Sequence, residues 1–178
     1  MKTRLLLFIP AITAAVCASG PNTLPSISKA CTAPEYRSFD FWLGNWDVYN
    51  VDDGKKSAQV RVSSILNGCA IREEYAGVDG SAGESLSSYD AVHKLWRQHW
   101  VSNAGAIVSI SGDLTSGAMI LAGPEEGVRS SLVRGIWKPE ATGVRETGER
   151  SQDDGRTWQP WFDLHFRPSA GQLTATGK

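Results

Sequence analysis

No serine of this chain sits in a Gly-x-Ser-x-Gly elbow, so a hydrolase triad of that kind has no nucleophile. Histidine is scarce. His93, His99 and His165 stand 6 and 66 residues apart, which matches no local metal-ligand spacing, and no metal site is expected. An excess of one charge is missing as well: 18 basic and 19 acidic residues leave a formal charge of -1. Nucleic acid and anionic membrane therefore have no electrostatic claim as partners. The one long apolar run, residues 5–16, is too short to span a bilayer, so no stable membrane insertion is expected. There is no repeat of fixed period, no low-complexity tract and no second domain among the 178 residues.

What the chain does have begins with a targeting segment over residues 1–18. Lys2 and Arg4 precede the apolar run, and Val16-Cys17-Ala18 ends in small residues of the kind signal peptidase accepts. Val16 fits lipoprotein processing at Cys17 poorly, so cleavage is placed after Ala18, with lipidation of Cys17 as the alternative. Loss of Lys2 and Arg4 leaves 16 basic against 19 acidic residues, a net of -3. Residues 19–30 read as a polar tether, and a secreted or periplasmic location follows. The mature chain keeps Cys31 and Cys69, far apart and with no histidine near either, which in an oxidising compartment points to a disulfide.

Residues 35–44 have helix-like apolar spacing and stop at a glycine, as a short helix or helical turn would. From Trp46 onward, short strand-like runs alternate with separators rich in Gly, Asn, Asp, Pro and Ser. They cover residues 46–51, 57–66, 69–75, 84–89, 95–102, 106–114, 118–122, 128–138, 144–150 and 158–167. Asn67-Gly68 between the second and third is a strong hairpin signal, because both residues tolerate positive φ. The pattern predicts an all-β fold: an antiparallel barrel of about nine or ten strands over residues 31–168, with a short N-terminal helix and a frayed tail at 169–178. Seven tryptophans against five phenylalanines supply either a core or an aromatic ligand cavity.

Gly44-Asn45-Trp46 at the start of the first strand resembles the Gly-x-Trp signature of lipocalins, in which the Trp plugs one barrel end and a late Arg stacks over it. Arg167 is the expected partner of Trp46. Ser151-Gln152-Asp153-Asp154-Gly155-Arg156-Thr157-Trp158 resembles the Asp-box of sialidase-type propellers, a hairpin turn in which Asp153 binds loop amides and Trp158 packs inward. One copy cannot build a propeller, so its role is structural.

Longer stretches carry a further resemblance. Phe39-Asp40-Phe41-Trp42-Leu43-Gly44-Asn45-Trp46-Asp47-Val48, Leu66-Asn67-Gly68-Cys69-Ala70-Ile71-Arg72-Glu73-Glu74-Tyr75, Trp96-Arg97-Gln98-His99-Trp100-Val101 and the Asp-box fall in order. Together they resemble a family of secreted, mostly bacterial domains of unknown function with a lipocalin-like barrel. The resemblance covers roughly residues 31–167 and implies fold, not a reaction. The chain departs from that pattern at His99, where a Thr-like residue is usual, and at Phe166-Arg167-Pro168, where an aromatic–Arg–Arg strand end is common.

Candidate site residues follow from strand alternation. Trp96, Gln98 and Trp100 share a face that would stack and orient a flat ligand or else fill the core. Glu73 shares a face with Ile71 and Tyr75 and points inward, while Arg72 and Glu74 face out. On the last strand Trp161, Asp163, His165 and Arg167 share a face, which makes His165 a lining candidate. The residues favour a small, partly apolar molecule held by Glu73, Trp96, Gln98, Trp100 and His165. Two alternatives stay open. One is a cofactor-independent isomerisation or cyclisation with Glu73 or His165 as proton carrier. The other is a structural envelope module whose tryptophans fill a core.

Overall fold

The computed structural model describes residues 31–170. The expected targeting segment with Cys17, the expected tether of residues 19–30 and residues 171–178 of the expected tail lie outside the described residues. Ten strands follow one another in chain order: β1 (Gly44–Asn50), β2 (Lys56–Ile65), β3 (Ala70–Gly77), β4 (Ala82–Asp90), β5 (Leu95–Ser102), β6 (Ile107–Thr115), β7 (Ala118–Pro124), β8 (Leu132–Glu140), β9 (Gly143–Ser151) and β10 (Gln159–Pro168). Each pairs antiparallel with its sequence neighbours, and β1 pairs β10 to close the barrel. Closure leaves no free sheet edge. The all-β barrel expected from the sequence is therefore present, and its strands fall close to the predicted runs. The main difference is β8, which starts at Leu132 because residues 128–131 belong to the preceding loop.

The expected N-terminal helix is two short 3₁₀ turns, Pro34–Arg37 and Asp40–Trp42. They close one end of the barrel. Phe39 and Trp42 are fully buried and stack at 5.0 Å, and Phe39 meets Trp96 and Trp137 edge-on at 5.6 and 5.5 Å. Trp46 completes this plug. Its Nε1 donates to the Trp42 carbonyl at 2.9 Å, and its ring lies so near Gly44 that a Cβ there would sit 2.9 Å from it. The Gly-x-Trp unit thus works by close approach: glycine lets the indole fold back along its own strand.

Arg167 does not join Trp46. Cross-strand partners face the same side of a sheet, and Trp46 pairs with Pro168 whereas Arg167 pairs with Asp47. Arg167 is consequently on the outer wall, its guanidinium 4.6 Å from the Tyr49 ring. The β2–β3 turn at Leu66–Gly68 runs through Leu66, Asn67 and Gly68 at φ of 51°, 56° and 85°. Beside it, Cys69 is disulfide-bonded to Cys31. The outer wall carries ion pairs such as Arg72–Glu84, Arg134–Glu149 and Arg145–Asp163.

Candidate functional site

The barrel end opposite the plug is where β1–β2, β3–β4, β5–β6, β7–β8 and β9–β10 connect. Below it lies a cavity of about 380 Å³ that reaches down to Trp137 and Phe166. This is within the usual range for small-molecule sites. It exists for a reason legible in the glycines. A Cβ on Gly83, Gly135 or Gly148 would come within 2.2, 2.4 and 2.2 Å of the rings of Trp100, Trp137 and Phe162. Those rings occupy the room the missing side chains leave and lie flat along the wall, so the lumen stays open.

The β3–β5 side of the lumen is polar. Ser85 Oγ donates to Glu73 Oε2 at 2.7 Å, and Gln98 Nε2 donates to Ser87 Oγ at 3.1 Å. All four side chains are buried, Glu73 to 7% exposure. Tyr75 and Trp100 meet edge-on at 5.8 Å above them. Glu146 of β9 lines the same cavity as Glu73. Burial pushes the Glu73 carboxyl up to about 7. Burial and then the negative charge of Glu73 push Glu146 well up as well. The Trp137 indole N–H is buried without a hydrogen bond of ordinary geometry, and it favours the ionised form of Glu146 more weakly. Among the described residues, no ion pair includes either carboxylate, although nine carboxylates outside the lumen have a lysine or arginine partner within 4.0 Å.

The sequence candidates separate in space. Glu73, Gln98 and Trp100 line the cavity. Trp96 shares their face but sits lower, within the plug, where its Nε1 donates to Ser38 Oγ at 2.8 Å. His165 is outside. It pairs with Tyr49 and Arg145 on the outer wall, 3.7 Å from Glu140, because Phe162, Leu164 and Phe166 take the inward face of β10. His99 also faces out, its Nδ1 2.8 Å from Ser109 Oγ. In the Asp-box turn, Asp153 Oδ1 accepts from the Thr157 amide at 2.8 Å and Oδ2 from the Thr157 hydroxyl at 2.7 Å. Trp158 lies under the Arg134 guanidinium at 4.1 Å, so the motif braces a hairpin. Among the described residues, no three His, Cys, Asp or Glu side chains stand together as a metal site.

The sequence does not single out Glu146. The run Val144-Arg145-Glu146-Thr147-Gly148-Glu149-Arg150 puts charges on both faces, and only Val144 and Gly148 mark which is inner.

A stability prediction follows from the Glu73 carboxyl. Its folded value, about 7, lies above the ordinary 4.5, so the folded barrel holds the proton more tightly than the unfolded chain. The barrel accordingly loses stability as pH rises from 4.5 through 7. Glu73→Gln removes that loss and gains about 2–3 kcal/mol at pH 8, with little change at pH 4. Urea denaturation at both pH values measures it; a variant no more stable than wild type at pH 8 contradicts the assignment.

No known family model matches this chain, and no curated protein matches it.

Proposed function

We propose that the protein is an extracytoplasmic barrel that binds a small, partly apolar molecule in its lumen. The observation that carries this reading is the open aromatic cavity, kept clear by Gly83, Gly135 and Gly148 above a polar wall at Glu73, Ser85 and Gln98. A barrel serving only as a structural module has no use for such space, since filling it with side chains would add stability. The Cys31–Cys69 bond and the N-terminal targeting pattern support an oxidising compartment, as does the resemblance to secreted barrel domains. Paired charges such as Arg72–Glu84 and Arg145–Asp163 on the outer wall are the reverse of a lipid-facing band.

The neutral dye N-phenyl-1-naphthylamine tests the reading. It is expected to brighten saturably on titration with wild-type protein. Gly148→Ala is expected to weaken it about tenfold or more, because the new Cβ drives the Phe162 ring into the lumen. A linear, unsaturable response from folded wild type would sink the proposal.

One observation favours a second reading, a cofactor-independent isomerase or cyclase. Two carboxyls in one lumen, both with raised pKa, place a proton donor and an acceptor in the same site. Turnover of a bound ligand that disappears in both Glu73→Gln and Glu146→Gln would establish it; a ligand recovered unchanged argues for carriage alone.

A further inference from the structure

Glu73 on β3 and Glu146 on β9 face one lumen from different walls. No arginine, lysine or histidine among the described residues is paired with either. Two arginines close to cavity-lining residues have carboxylate partners of their own. Arg134, whose residue borders the cavity, is ion-paired with Glu149 and lies over Trp158. Arg150 binds Glu125 at 2.7 Å and lies over Trp161 at 4.4 Å. The other groups lining the site are neutral: Gln98, Tyr75 and Trp100, with Trp137 below. A buried pair of carboxyls without a counter-ion is costly to keep, and aromatic faces around it attract cations. Both features ask for the same thing, a positive charge on an otherwise apolar body.

Resting on the binding reading above, we propose that the ligand is an aromatic or apolar amine taken up as its ammonium ion. The ammonium is placed between Glu73 and Glu146 and the ring system against Trp100, Tyr75 and Phe162. A neutral ligand of the same shape would fill the apolar walls and leave the carboxyls unpaired. An anionic one would add a third like charge. On arrival of the ammonium, a proton held by the carboxyl pair leaves to the buffer, and the pair becomes fully ionised around the cation.

Three probes of one shape test this by titration calorimetry at pH 8: 2-(2-naphthyl)ethylamine, 2-(2-naphthyl)ethanol and 2-naphthylacetate. The amine is expected to bind at least about tenfold tighter than the alcohol and the acetate weakest. At pH 7, the heat of amine binding is expected to differ between phosphate and Tris buffers by the proton released, while that of the alcohol does not. In the Glu73→Gln, Glu146→Gln double variant the amine is expected to lose its advantage while the alcohol still binds. An alcohol that matches or exceeds the amine in wild type overturns the proposal, whatever the variant does. So does a protein that takes up N-phenyl-1-naphthylamine but none of the three probes. If the dye and all three probes fail together, the binding reading falls and this inference falls with it.

Discussion

Trp42→Ala lowers stability by about 3–5 kcal/mol, a large share of the total for a domain of this size. Trp42 is 0% exposed and holds the closed end of the barrel together. Its ring stacks on Phe39 at 5.0 Å and meets Trp137 at 5.6 Å and Phe166 at 6.4 Å. Its backbone carbonyl anchors Trp46, so the truncation leaves that hydrogen bond chemically possible but removes the surface against which Trp46 is positioned. Phe39 cannot collapse into the gap without abandoning Trp96 and Trp137. Trp42→Phe is expected to cost much less, since the Trp42 Nε1 is buried with no hydrogen-bond partner among the described residues to lose. Urea denaturation of both variants decides the matter. An alanine variant within 1 kcal/mol of wild type would mean that the plug is not part of the cooperative core.

The residues of that plug are legible in the sequence because Phe39, Phe41, Trp42 and Trp46 cluster around one glycine, Gly44. Phe39, Trp42 and Trp46 are all buried, and Asn67-Gly68 accepts the positive φ its turn requires. Glu73 was legible for a subtler reason: its neighbours Ile71 and Tyr75 mark the inner face of β3. Trp96 illustrates the limit of alternation, which assigns a face but not a height along the barrel. It shares the face of Gln98 and Trp100, yet it belongs to the plug and they belong to the cavity.

His165 is expected in the lumen because it shares a face with Trp161 in strict alternation, whereas Arg167 is expected over Trp46 only from the Gly-x-Trp resemblance. A bulge between Pro160 and Phe162 breaks the alternation there. Trp161 reaches the cavity rim, while Asp163, His165 and Arg167 stay on the outer wall. The glycines that open the lumen carry no periodic signal at all. Their meaning depends on which ring lies above them, and that is a property of the closed barrel.

Removing the Cys31–Cys69 bond is expected to cost about 4 kcal/mol, from the entropy that a 38-residue separation restores to the unfolded chain. The double variant Cys31→Ser, Cys69→Ser in urea denaturation measures it, and a loss below about 1 kcal/mol would show that the linkage does not constrain folding. Its position adds a structural consequence to the entropic one. Cys31 immediately precedes the two 3₁₀ turns, and Cys69 follows the β2–β3 turn, so the bond ties the plug segment to the closed end of the barrel. Arg37 reinforces the same junction by donating to the Gly68 carbonyl. Disulfide and Trp42 therefore hold one segment by two means, and their losses should not add. Without the bond, residues 31–43 are held covalently only through β1, and truncating Trp42 then removes packing that is already partly lost. A combined variant with a deficit smaller than the sum of the separate ones is the expected result. Strict additivity would mean that the plug docks by its aromatic contacts alone and that the bond acts only on the unfolded chain.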